Sequence, residues 1–207
     1  MVYNNPVLAM NVWKHSLLSA YKFGGKPEEY FEIHKFLDAS ELFYPHIKHQ
    51  ILLHNTYGIK LCIRLFGDYI VNTAGITVLV SDIAASHCKE DLSGRVPTLN
   101  DWFKDNTELE ALLVTIPGFE EEPLNTFILE PYIMSGTGAA LLITCSNFGS
   151  YLCGRLFDEK TALQHANKAV KNPDIKTLLS DFKTLETWQY TVNPEDLLLL
   201  KDLENAS

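Results

Sequence analysis

The sequence predicts a mainly α protein: a helical N-terminal domain with one short β-hairpin, followed by a mostly helical acidic region. Three observations predict it. Apolar residues recur at helical spacing between proline openings and glycine stops. One stretch, Tyr69–Val80, instead carries two β-rich runs around Asn72-Thr73-Ala74-Gly75, which reads as a hairpin. Charge is also unevenly placed: residues 1–106 hold ten Lys/Arg against eleven Asp/Glu, and residues 107–207 hold seven against fifteen. Two domains are expected, 1–106 and 107–207, with the boundary in the polar segment near 105–109.

The elements follow in order. VWKHSLLSAYKF (12–23) has helical spacing and stops at Gly24-Gly25. Pro27 opens PEEYFEIHKFLDASELFY, with Glu28 and Glu29 in the first turn, where the helix dipole favours them. Pro45 opens a third helix, expected to run to about Phe66 and end at Gly67-Asp68. Ser81 and Asp82 begin a helix carrying His87 and Asp91, and Thr98 with Asp101 forms a capping-box start for a short helix through Trp102. Beyond it, LLVTIPGFEEEP joins an apolar run, a turn and an acidic loop. Two or three helices come next, one opened by Asp158 and stopped at Asn172-Pro173. At the end Asn193 caps a last helix and Pro194 takes its first position.

At 207 residues, 46% hydrophobic and 21% charged, the chain is long and apolar enough to bury a sizeable core. A net charge of -9 excludes a general binder of nucleic acid or anionic membrane. Cys62, Cys88, Cys145 and Cys153 lie far apart with no CxxC pair, so neither a disulfide framework nor a zinc knuckle is indicated, and buried apolar roles are expected. The most apolar stretch, Leu124–Cys145, is interrupted by Glu130, Pro131 and glycines, which does not suit a membrane span. No signal peptide is expected at the start, and the expected location is cytoplasmic.

Candidate chemistry rests on histidine. Six of the seven histidines (His15, His34, His46, His49, His54 and His87) lie in the first half. His34-xxx-Asp38 and His87-xxx-Asp91 share a spacing that puts an imidazole and a carboxylate on one helix face. Two such helices facing each other would offer nitrogen and oxygen ligands to a divalent metal (zinc, manganese or iron). Alternatively, each Asp would orient its His as a general base. His54 and Glu90 are natural additions; His49 and His54, about 140° apart around a helix, would not share a ligand. The expected metal set is His34, Asp38, His54, His87 and Asp91. There is no HExxH or di-iron pattern, and the competing reading makes these histidines structural. KFGGKP (22–27) reads as a helix stop or, less simply, as an anion cradle.

HSLLSAYKFGGKPEEYFEIHKFLDAS, KHQILLHNTYGI, RLFG and SHCKEDLSGRVPTLNDW together resemble an uncharacterised His-rich helical domain family of bacteria and phages, over about residues 15–102. The family pattern falls on His15, His34, Asp38, His49, His54, His87, Glu90, Asp91 and Trp102. Asn55 stands where the pattern has the second histidine of an HH pair, Lys48 replaces an arginine, and Ser93 is an insertion. The resemblance implies a domain and a set of positions but no reaction. The leading expectation is a metal- or small-ligand-binding protein, extending to a metal-dependent hydrolase. The rival is a non-enzymatic interaction or sequestration protein, phage-related, that holds a host protein or signalling nucleotide or forms a homo-oligomer.

Overall fold

A computed structural model describes residues 10–104, 122–168, 173–180, 182, 189 and 191–206. Its described residues are mainly helical, with one two-stranded antiparallel sheet, as the sequence predicts. The expected boundary near 105–109, most of LLVTIPGFEEEP and the stop at Asn172 lie outside the described residues. The chain divides into two compact units that interleave along the sequence. Unit 1 takes Met1–Ala39, Gly58–Val96 and Leu185–Ser207, and unit 2 takes Ser40–Tyr57 and Pro97–Thr184.

Unit 1 begins with α1 (Val12–Phe23), capped by the Asn11 side chain accepting from the Lys14 amide. Gly24, at φ 79°, closes it by donating to the Ala20 carbonyl. A 3-10 turn (Pro27–Glu29) leads into α2 (Phe31–Leu37), which ends with the Asp38 amide on the His34 carbonyl. The anion cradled by KFGGKP proves to be the chain's own: the Glu29 carboxylate accepts from the Lys26 and Thr73 amides and the Thr73 hydroxyl. The hairpin pairs Tyr69–Val71 (β1) with Thr77–Leu79 (β2), Ile70 opposite Val78. Asn72 closes the turn by accepting from the Ala74 and Ile76 amides, and it ties the hairpin to the glycine loop by donating to the Phe23 carbonyl and the Tyr30 hydroxyl. From β2 the chain enters α5 (Val80–Asp91) directly. The last helix, α11 (Pro194–Ala206), opens where Asn193 accepts from the Glu195 amide. Met10, Leu18, Val192 and Leu200 join it to α1 in a small apolar core.

The predicted helix from Pro45 to Phe66 is interrupted. A 3-10 turn (Ile47–His49) and α3 (Gln50–Leu53) come first; α4 (Thr56–Phe66) restarts two residues later. The reason is local. His54 leaves helical geometry at ψ 63°, and the Asn55 side-chain Oδ1 accepts from the Tyr57 amide while its Nδ2 donates to the Ile51 and Leu52 carbonyls. A side chain that satisfies both the last carbonyls of one helix and the first amide of the next is a splice, not a continuation.

Unit 2 continues with α6 (Leu99–Phe103), where Thr98 and Asp101 form the predicted capping box. There follow α7 (Leu124–Ser135), stopped by left-handed Gly136, then α8 (Asn147–Leu156), α9 (Glu159–Lys168, with Asp158 accepting from the Thr161 amide) and α10 (Ile175–Ser180). Trp102 and Phe103 are fully buried here, and the Trp102 indole donates to the His54 carbonyl. No described helix is long and apolar enough to cross a membrane. All four cysteines are free and buried, and burial pushes the Cys145 and Cys153 thiols up to about 11.

Candidate metal centre

Three helices of unit 1 build the site. On α1, His15, Ser19 and Lys22 stand at i, i+4 and i+7, so they share one face. That face is turned inward: His15 and Ser19 are fully buried. From α2 come His34 and, at its end, Asp38. From α5 come two i,i+4 pairs side by side, Ser86 with Glu90 and His87 with Asp91, all four of them buried.

The imidazoles crowd together, His34 stacked with both His15 and His87 and the His15 and His87 rings tilted to each other. Ring centroids lie 3.9 Å apart for His15 and His87, 5.3 Å for His34 and His87, and 5.5 Å for His15 and His34. Ligand atoms of His15, His34 and His87 fall within 4.8 Å of one another, and so do those of Asp38, His87 and Asp91. His87 belongs to both groups because its two nitrogens face different ways. Its Nδ1 is 3.1 Å from His34 Nδ1, whereas its Nε2 looks at Asp38 Oδ1 (3.3 Å) and Asp91 Oδ2 (3.8 Å).

His15 completes the carboxylate side. Its Nδ1 donates to Glu90 Oε2 at 2.6 Å. Its buried Nε2 makes no hydrogen bond among the described residues and lies 3.6 Å from Asp91 Oδ2. Glu90 in turn accepts from Lys22 Nζ and the Ser86 hydroxyl, both at 2.8 Å, and Lys22 also pairs with Asp196 of α11 at 2.9 Å.

The charges explain the titration. Burial works hardest against a charge on His15, but Asp91 and Glu90 together outweigh it and hold its pKa well above the usual value. His34 goes the other way: burial, reinforced by the neighbouring His87 and His15, holds it well below. For Glu90 burial favours the neutral acid, and the hydrogen bonds and charges of His15 and Lys22 reverse that, leaving its pKa lowered. Three buried or nearly buried carboxylates thus converge on this pocket of imidazoles, an arrangement that demands positive charge within it.

Of the five residues expected from the sequence, unit 1 assembles His34, Asp38, His87 and Asp91. His54 is a residue of unit 2, fully buried, with its ring 5.6 Å from and edge-on to that of His49. His49 itself shares a hydrogen bond with Ser40, and His46 accepts from the Lys48 amide, so these two do structural work. His165 donates through Nε2 to the Thr144 carbonyl. The residues that sequence reading left outside its set are His15, Ser19 and Lys22. The signal was there in HSLLSAYK, whose polar positions repeat at helical spacing on an otherwise apolar element.

A search of curated proteins and of solved structures finds no match to this chain. One family model does match: residues 10–112 are similar to the family described as "Domain of unknown function (DUF6915)".

Proposed function

We propose that this protein binds a divalent metal in unit 1, with His15 Nε2, His87 Nε2, Asp38 and Asp91 as ligands. One observation carries the reading: the spacing of the polar atoms around His87 Nε2 and Asp91 Oδ2. Separations of 3.3, 3.6 and 3.8 Å lie beyond the roughly 2.7–3.2 Å of a good hydrogen bond. They approach the ~3.0–3.5 Å between neighbouring ligands on an ion held at ~2.0–2.2 Å. The His15–Glu90 bond supports it, because a metal-bound histidine usually donates its other N–H to a carboxylate. Two imidazoles with two carboxylates favour zinc, manganese or iron over magnesium or calcium.

The ligands are withdrawn from water, Asp38 being the most open at 11% side-chain exposure. A hydrolytic role needs a coordination position that water can reach, and the edge beside Asp38 is where it would enter. Elemental analysis of tag-free protein tests the binding. About one metal per chain, lost in His87→Ala, is expected. Less than about one-tenth per chain, unchanged by His87→Ala, overturns it. The same measurement on His54→Ala determines whether the fifth residue of the sequence-based set takes part. Because ligation needs neutral imidazole, and Asp91 and Glu90 hold the His15 pKa well above its usual value, affinity should already fall as pH drops through that raised value.

A second reading, self-association, is favoured by the hairpin. Tyr69, Val71 and Leu79 stand on its outward face, each about half or more exposed, and the sheet has two strands among the described residues. Sedimentation should show a mass above the 23.4 kDa of one chain, reduced to it by Val71→Lys. A wild-type monomer excludes this reading.

A further inference from the structure

Resting on the metal reading above, we propose that Ser19 and His34 are a positioning pair: they stand behind His87 and determine which of its nitrogens faces the ion. The geometry leaves one consistent pattern of protons. A neutral imidazole carries one N–H and one lone pair. If His87 gives its Nε2 lone pair to the ion, its proton is on Nδ1. That N–H meets His34 Nδ1 at 3.1 Å, so His34 must present a lone pair there. The proton of His34 then sits on Nε2, which donates to the Ser19 hydroxyl at 2.8 Å. Three side chains from three helices are thereby locked into one set of tautomers by a single choice at His87.

All three are fully buried, so no water can substitute for a missing partner at this depth without a new cavity. The sequence-based set counted His34 as a ligand. The placement of the carboxylates argues for the second rank instead. Asp38 and Asp91 both face His87 Nε2, and His34 faces Nδ1 on the opposite edge of the same ring. One ion cannot use both edges.

Cobalt(II) is the probe, since its visible absorption reports the ligand set as well as affinity. Metal-free protein is titrated with Co2+ as wild type, Ser19→Ala, His34→Leu, His34→Gln and His87→Ala, with near-UV circular dichroism to show that each is folded. Ser19→Ala and His34→Leu should weaken binding about 10- to 100-fold, the usual cost of losing an outer partner, with the absorption bands of wild type. His34→Gln keeps an acceptor for His87 Nδ1–H and should recover most of the affinity. His87→Ala should not bind. Bands that shift in both His34 variants make His34 a ligand and overturn the proposal; affinity unchanged in Ser19→Ala and His34→Leu overturns it equally. Wild type that takes up no Co2+ removes the metal site itself, and the positioning role with it. Ser19→Ala deletes one oxygen only, so its result stands even where the His34 variants fold poorly.

Discussion

Glu90 accepts hydrogen bonds from His15, Lys22 and Ser86 while wholly withdrawn from water. Breaking such a buried pair from one side strands the remaining charges. Glu90→Gln is therefore expected to lower stability by about 3 kcal/mol, read from urea denaturation of metal-free protein. The shifted histidines set opposite pH dependences. His15, raised, contributes stability that is full below its unfolded value near 6.5 and is lost as pH rises through its higher folded value. His34 and His165, both lowered chiefly by burial, contribute stability that is present above 6.5 and lost as pH falls below it. His165→Gln should flatten the loss of stability between pH 7 and 5, measured against wild type; an unchanged slope would refute the assignment. At this scale the sequence was partly readable. His34 with Asp38 and His87 with Asp91 were visible because a helix turns i,i+4 spacing into proximity. The bond from His15 to Glu90 was not, because nothing local relates α1 to α5.

Gly149, in the first turn of α8, shows an element held by close approach. Gly→Ala in a helix normally stabilises by about 1 kcal/mol. Here a Cβ would run into the Thr144 backbone, whose carbonyl also receives the His165 bond. The clash outweighs the propensity, so Gly149→Ala should destabilise by about 1–3 kcal/mol, detectable as a lower urea midpoint. Gly25 is bound similarly: φ is 73° and an added Cβ would sit 2.8 Å from Asn72 Cβ. Helix ends were the most legible elements, since Gly24, Thr98 with Asp101, Asp158 and Asn193 each signal through their own chemistry. The break at His54-Asn55 escaped notice because neither proline nor glycine marks it. It depends on one amide side chain bonding in both directions, which pattern reading scores as an ordinary helical residue.

For the molecule as a whole, the chain divides into two units that interleave along the sequence. Charge counts along a sequence average over surfaces that folding separates, and they carry no information on which distant segments associate. Unit 1 draws on three stretches of chain, and α11 supplies both Asp196 and part of the apolar cover of α1. A fragment ending at residue 112, the limit of the family match, lacks that helix. It should be less stable than the full chain by several kcal/mol, given about 1.5–3 kcal/mol for each large apolar side chain left uncovered; equal thermal stability would show α11 to be dispensable. Zinc at about 100 times its dissociation constant should add about 2.7 kcal/mol to the stability of the 207-residue chain and raise its melting temperature by roughly 5–10 °C, reversed by chelator.

The pairing of Lys22 with Asp196 also has a temporal side. A ribosome makes the lysine early and the aspartate late, and nearly everything between them must be polymerised before the two can meet. During that interval Lys22 has Glu90 as its partner but not Asp196. What the late segment adds is the second partner of Lys22; the residues of the histidine pocket itself, from His15 to Asp91, are all made in the first half of the chain.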